Sequence, residues 1–462
     1  MITRRTGTAG TPARSSVAPP PGFGPLLTPG HPGTRRAGPR SGLALVSVWA
    51  VTRLAMLALL VRDDLGVGGV SREVYVLYRG WSEQLGRGTF PADDSTWQYP
   101  PGAGAVILSP ALLPWLTYFQ AFVALALLAD AVIAFALARA GRTDASDRAA
   151  PDQDPSPAET SVDPGAGTGI EARPGRGAGP AGAWLWVCGL PLLLHIPLAR
   201  YDVQVTALAV LALLAVRRRP RAGGALAGLG ALVKGWPLLT LLGTPRGRTT
   251  RASWASAAVA AAALLGVLAL GHTHTLAFLD QQRHRGVQIE SLGGTALAVA
   301  RLAGWPGTVE YRYGAFEFTG PYVSSVARIS LLLTAAACCW LLLWRLRARR
   351  WNPATPFDAA LAAVLLFTVT SRVISPQYLV WLLGLGAVCL TSRHTRQRTV
   401  ALLLLPATAL SALAYPVLYE EVVAGTVAGV ALMVVRNGLL LAAALLACRA
   451  LWTGTRPDRR TG

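Results

Sequence analysis

"DVQVTALAVLALLAVRRRPRAGGALAGLGALVKGWPLLTLLG", residues 202–243, decides the fold class. After Asp202 the first part is apolar on every side and stops at the basic run 217–221. A bilayer core of about 30 Å takes about 20 apolar residues as helix, and basic loops stay on the cytoplasmic side. This run therefore ends inside. The second apolar run has the length of one span, yet Lys234, Gly235 and Pro237 interrupt its middle. Such a break stands in lipid only where the freed backbone groups find partners in protein or a cavity. The reading is a hairpin of short helices that returns to the inside, keeping "RGRTTR", 246–251, cytoplasmic.

Outward from this stretch the same pattern fills all 462 residues. The chain is 52% hydrophobic and 14% charged, which a soluble domain of this length would not keep in solution. Its formal net charge of +20 comes largely from Arg clusters between apolar runs. That charge is topological first, and nucleic acid is not an expected partner. Cys188, Cys338, Cys339, Cys389 and Cys448 lie in apolar runs without metal-ligand spacing and read as small buried hydrophobes. Residues 1–41 read as a disordered cytoplasmic tail, and 142–182 as a disordered cytoplasmic linker too polar to bury a core.

The first span, 42–61, leaves the cytoplasm behind Arg35, Arg36 and Arg40, which makes 62–104 an external loop. A half-helix at 105–115, broken by Pro110 and Pro114, precedes a full crossing at 119–138, so the block 42–141 ends inside. After the linker, 183–198 goes out, 203–216 comes back, and beyond the hairpin 252–270 leads to a long external loop, 272–321. Spans at 323–344, 357–370, 379–390, 400–415 and 433–452 complete the block 183–452, before a basic cytoplasmic tail at 453–462. These make roughly eleven to thirteen membrane segments in an all-α, polytopic helical membrane protein; a barrel would alternate in polarity at every second residue. The expected location is the cell membrane, multi-pass, with both termini cytoplasmic.

Sorted by this topology, "REVYVLYRGW" (72–81), "PADDSTWQYPPG" (91–102), "ARYD" (199–202), "QQRHRGVQIES" (281–291) and "SRVISPQY" (371–378) all fall outside. The functional face is extracytoplasmic. Tyr75, Tyr78 and Trp81 have near-helical spacing, which predicts an amphipathic helix at headgroup level. Glu73, at its start, is either a solvated charge or a general base for a membrane-surface acceptor. Asp93 and Asp94 either cap the turn before Trp97 or bring carboxylates to the site. Trp97 and Tyr99 offer flat faces to a sugar ring or to the interface. Arg200 and Asp202 flank Tyr201 at an outer junction, as a mutual ion pair or as functional charges. Lys234 must snorkel or face a polar cavity, where it would hold a lipid phosphate. Arg285, Gln288 and Glu290, in a polar run with Arg283 and His284, and Arg372, Gln377 and Tyr378 complete the substrate-binding candidates. No cluster calls for a metal, the glycines of 165–177 lie in the linker, and no cofactor is expected.

In order along the chain, "EVYVLYRGW", "LGRGTFPADDSTWQYPPG", "ARYDVQVTALAVLALLAVRRRPRAGGALAGLGALVKGWP", "HRGVQIESL" and "SPQYLVWLL" resemble glycosyltransferase family 87, the polyprenyl-phosphate-dependent mannosyltransferases of the C-type superfamily, over about residues 45–450 without the linker. The resemblance implies a multi-span helical fold, an active site on the external side, a polyprenyl-phosphate sugar donor and an essential carboxylate in the first external loop. That carboxylate falls on Glu73, where the family pattern has Asp, with Asp93 and Asp94 in reserve. The implied reaction moves a sugar, mannose, to a glycolipid or glycan acceptor of the cell envelope in one inverting displacement. Its leaving group is already an anionic phosphate, which Arg200, Lys234 or Arg372 could stabilise, while a carboxylate deprotonates the acceptor hydroxyl. An arabinofuranosyl donor is the variant within the superfamily. A transporter or flippase of a lipid-linked sugar is the rival outside it; that reading predicts an inverted repeat, which the sequence does not display.

Overall fold

The structure is a computed structural model and describes residues 39–65, 69–146, 180–283 and 285–456. Two units divide the chain, Met1–Leu43 and Ala44–Gly462, and of the first only the opening of the first helix is described. The expected N-terminal tail up to residue 38, the linker between 147 and 179, the C-terminal tail beyond 456 and His284 lie outside the described residues.

Helix α1 (Pro39–Arg62) is followed by a π-helical turn, Glu73–Tyr78, running straight into α2 (Arg79–Gly86); α3 (Gly102–Leu108) comes next. Helix α4 (Tyr118–Ser146) continues past Arg142, where the linker was expected to begin. Then come α5 (Ala181–Gly189), α6 (Asp202–Val216), α7 (Pro220–Lys234), α8 (Arg248–Gly271), α9 (Phe278–Arg283) and α10 (Leu292–Leu302). Helices α11 (Val323–Arg347), α12 (Thr355–Thr370), α13 (Tyr378–Leu390), α14 (Arg398–Ala412), α15 (Tyr419–Ala424) and α16 (Val427–Gly454) complete the chain.

Among the described residues, six helical stretches are long and apolar enough to cross a membrane: Gly42–Arg62, Tyr118–Thr143, Arg248–Gly271, Val323–Arg347, Arg398–Val417 and Val427–Gly454. Three of them, in α1, α8 and α11, turn large side chains such as Leu54, Val259 and Leu332 outward, as a helix bordering lipid does. Shorter helices fill the centre. In α13 every residue from Leu379 to Leu390 is buried, and α12 is buried from Thr355 to Leu365. A 13-residue helix is only about 20 Å long, so α13 spans a bilayer core incompletely; its ends are met by protein rather than lipid.

The quoted stretch folds as an α6–α7 pair with a return. Ideal Cβ atoms at Gly224 and Gly228 would lie 2.0 Å from the Ser253 carbonyl oxygen and 2.2 Å from that of Ala257, so only glycine lets α7 approach α8 this closely. At Gly235 the backbone takes φ +58°, and a 3-10 segment, Trp236–Leu241, folds back with Pro237 against Gly230. Gly243 then receives a hydrogen bond from Trp351 Nε1, 2.9 Å, beside the end of α11. The two arms thus run up and down the same bundle. At that lower end Arg345 caps the turn through the Thr244 carbonyl and Thr250 Oγ1, with its guanidinium 4.9 Å from the Trp351 ring.

Far from either end, Asp130 of α4 receives Arg53 Nε and Nη2, each at 2.8 Å, and the indole N–H groups of Trp49 and Trp186, each at 2.7 Å. Arg53 Nη1 donates to the Val187 carbonyl at 2.8 Å. One buried ion pair, 3% and 1% exposed, therefore ties α1, α4 and α5 together.

The expected external loop 272–321 is more ordered than a loop. It holds α9, α10 and a three-stranded antiparallel sheet, β1 (Val287–Gln288), β2 (Thr308–Arg312) and β3 (Ala315–Thr319), in the order β1–β3–β2. Tyr311 faces Phe316 across the hairpin, and Val287 faces Phe318. The alternation in "EYRYGAFEF" puts Phe316 and Phe318 beside Tyr419, Val422 and Met433, covering the top of α15 and α16.

Candidate active site

Two ion pairs sit side by side because Arg200, Tyr201 and Asp202 follow one another at the top of α6. Arg200 Nη2 lies 2.7 Å from Glu73 Oε2, on the π-helical turn before α2. Lys234 Nζ, the last residue of α7, lies 2.6 Å from Asp202 Oδ1, which also accepts from Trp381 Nε1 at 2.6 Å. Arg200 and Asp202 are thus not partners of each other; each holds an opposite charge from a different element. A single π-turn, widened relative to an α-helix, places Glu73 where its carboxylate reaches both Arg200 and open space, at 25% exposure.

Four rings surround the lysine. Its Nζ is 4.9 Å from the Tyr201 centroid, 5.0 Å from Trp381, 5.7 Å from Tyr99 and 5.8 Å from Tyr378. Tyr99 and Tyr201 meet edge to face at 5.2 Å, and Tyr378 stacks on Trp381 at 4.0 Å. Quadrupoles and the Asp202 carboxylate together offset the lysine's desolvation. Burial works against the Arg200 cation, but Glu73 and the surrounding phenols outweigh it and hold the guanidinium more firmly protonated than usual. Burial and the nearby Glu73 and Asp202 carboxylates push the Tyr99 phenol well up, so it stays a neutral hydrogen-bonding group. Asp202 Oδ2, Tyr201 Oη and Arg200 Nε are buried without a hydrogen-bond partner in the protein, leaving polar atoms for a ligand or water.

The other candidates lie elsewhere. Asp94 is fully used: Trp81 Nε1 donates to it at 2.7 Å, and the Thr96 amide and hydroxyl at 2.8 and 2.5 Å. Asp93 is exposed on the loop. Trp97 is buried edge-on to Trp81 at 5.0 Å, in the aromatic layer beneath the site. Arg372 donates to the carbonyls of Arg285 and Gln282 at 2.8 and 3.0 Å, and so ties the 371–377 turn to the loop before β1. Arg285 lies 3.4 Å from Glu317. Gln377 is half-buried at the start of α13. Gln288 and Glu290 form a pair, Nε2 to Oε2 at 2.9 Å, above Tyr378 and Tyr415.

Three residues stood out in no sequence motif. Asp63, just past α1, accepts from the amides of Val70 and Ser71 at 2.9 and 3.0 Å, from the Ser71 hydroxyl, and faces His195 Nε2 at 3.1 Å. It therefore fastens the turn preceding Glu73 to the segment preceding Arg200. Arg436, buried inside α16, donates to Ser411 Oγ at 3.0 Å and to the Glu290 carbonyl at 2.9 Å, with Asn437 Nδ2 on the same carbonyl at 3.1 Å.

Burial pushes the Glu290 carboxyl up to about 7, with Arg436 pulling the other way. The folded chain then keeps this proton to higher pH than the unfolded chain, so the group's support is complete below its ordinary value of 4.5 and is lost as pH rises through about 7. Replacing Glu290 with Gln removes the titration. Thermal melts between pH 5 and 8 should show the variant gaining on the wild type as pH rises, whereas parallel curves would show that Glu290 ionises normally.

Against this geometry, the model of Glycosyltransferase family 87 matches residues 97–376. No curated protein matches the chain. Among solved structures, ArnT from Cupriavidus metallidurans in the apo state is similar at 14% identity and a TM-score of 0.43, covering 90% of this chain and 78% of its own. The same protein bound to undecaprenyl phosphate gives 14% and 0.44, with 89% and 78% covered.

Proposed function

Because the chain belongs to glycosyltransferase family 87, a membrane glycosyltransferase, we propose that it transfers mannose from a polyprenyl-phosphate donor to a glycolipid or glycan acceptor of the cell envelope, on the extracytoplasmic side of the cell membrane. The observation that carries this reading is the pairing of an accessible carboxylate with two cations around one triplet, Glu73 with Arg200 and Lys234 with Asp202. Basic residues at the lower end, such as Arg217, Arg246 and Arg345, support a cytoplasmic lower face and, with it, an extracytoplasmic site.

The acceptor hydroxyl oxygen attacks the anomeric carbon while the bond from that carbon to the phosphate oxygen breaks. Glu73 takes the hydroxyl proton, and the electron pair of the breaking bond stays on the phosphate. Lys234 has three N–H donors and gives one to Asp202, leaving two to meet the departing phosphate. Arg200 holds the Glu73 carboxylate in place through the 2.7 Å ion pair. Tyr99, Tyr201 and Tyr378 supply apolar faces and phenolic hydroxyls to the sugar. One displacement inverts the anomeric centre.

Reconstitution tests the proposal. Proteoliposomes of the full chain, given radiolabelled polyprenyl-phosphate mannose and a lipid extract as acceptor, should form labelled glycolipid with inverted configuration. Label transferred only from polyprenyl-phosphate arabinofuranose would change the sugar, and donor carried across the vesicle wall without any new glycosidic bond would overturn the enzymatic reading.

A further inference from the structure

A groove of about 460 Å3 opens between the sheet and the start of α11, and none of Glu73, Arg200, Asp202 or Lys234 lines it. Four guanidiniums do: Arg285, Arg312, Arg328 and Arg372. One carboxylate faces them, Glu317, 3.4 Å from Arg285, while Arg312 is held from the side by Glu310 at 2.7 Å. Arg372 spends its Nη1 and Nη2 on backbone carbonyls, and Arg328, exposed on α11, has no ion pair among the described residues. Positive charge is therefore in excess. Burial and the like charge of Arg285 both weaken the Arg372 cation, a cost that an anion in the groove would remove.

Chemistry of the remaining wall narrows the ligand. Val323, Ala327 and Leu331 continue the groove down α11, where Leu331 and, beyond it, Leu332 stay 53% and 69% exposed on a helix long and apolar enough to cross a membrane. A soluble anion has no use for that rail. An amphiphile matches both ends, with its charge among the arginines and its chain along the helix. We propose that this groove binds the phosphate of a membrane lipid, with the hydrocarbon lying against α11. Two sources carry that chemistry, a glycerophospholipid and a polyprenyl phosphate. Lipid binding here stands whether or not the chain transfers mannose.

The full chain in neutral detergent would be titrated by native mass spectrometry with phosphatidylglycerol, undecaprenyl phosphate and, as a zwitterionic control, phosphatidylcholine. Arg312→Ala/Arg328→Ala removes two exposed charges without touching the core, and Lys234→Met disables the other site. At least one of the two anionic lipids should bind tighter than phosphatidylcholine, lose about tenfold or more in the double arginine variant, and keep its affinity in Lys234→Met. Which lipid shows this pattern identifies the source. Neither anionic lipid preferred over phosphatidylcholine, or affinity lost in Lys234→Met and retained in the arginine variant, would overturn the assignment.

Discussion

Glu73→Gln is expected to slow sugar transfer by about 100- to 10,000-fold, the range a positioned general base contributes. The amide keeps the shape and can still accept from Arg200, 2.7 Å away in the wild type, but it cannot take the acceptor's proton. Because Arg200 is only 8% exposed, losing its counter-charge also costs stability, so a second variant separates the two effects. Glu73→Asp keeps the negative charge and shortens the arm by one methylene. It should melt closer to the wild type and retain more turnover than the Gln variant, short of full activity because the carboxylate is displaced. Initial rates in proteoliposomes and melting curves in detergent measure both quantities. Full turnover in Glu73→Gln would move the base elsewhere. Asp63 is an unfavourable substitute, since three protein donors and His195 already surround its oxygens.

The largest effect on folding is expected at Arg53 and Asp130. Replacing either one alone by Leu should cost about 3–5 kcal/mol, because the partner is left as an uncompensated charge in a site 3% or 1% exposed. Removing Asp130 also orphans the indole N–H groups of Trp49 and Trp186, each bonded to it at 2.7 Å, which makes it the more damaging of the two. Arg53→Leu/Asp130→Leu should recover much of the loss, since no charge then remains buried. Yield of folded protein and the melting temperature in detergent check this. A double variant as unstable as the sum of the singles would mean that packing shape, rather than charge, holds α1, α4 and α5 together.

Long lipid-facing helices were legible in the sequence because their signal is local. The apolar windows of α1, α4, α8 and α11 agree with the helices to within a few residues at their starts. So was the return at Gly235, where Lys, Gly and Pro have no place in an uninterrupted span. Other features depend on partners distant in the chain. The sheet carries no local signal, because β1 is two residues long and pairs with a strand beginning 28 positions after it starts. The last helix extends past the expected span: α16 begins at Val427 rather than near 433, and its first turns also pack on α15.

Ion pairing was the least legible of all. Arg200 and Asp202 are neighbours in sequence, yet their partners come from residues 73 and 234. Nothing in the local pattern of "LARYDV" distinguishes those pairs from a pair formed between the two. Asp63, His195 and Arg436 were missed for a related reason. A single polar residue next to an apolar run resembles a boundary residue until the opposing groups are known, as Arg436 shows by meeting Glu290 and Ser411 from within α16.

The most direct measurement is a double-mutant cycle on kcat/KM for sugar transfer, built from Glu73→Gln and Lys234→Met. Residues that stabilise one transition state act as a unit, and removing the second costs little once the first is gone. If the carboxylate and the lysine serve the same displacement, the double variant should be within about threefold of the slower single variant. Losses that multiply would place Glu73 and Lys234 in separate steps and contradict a shared site.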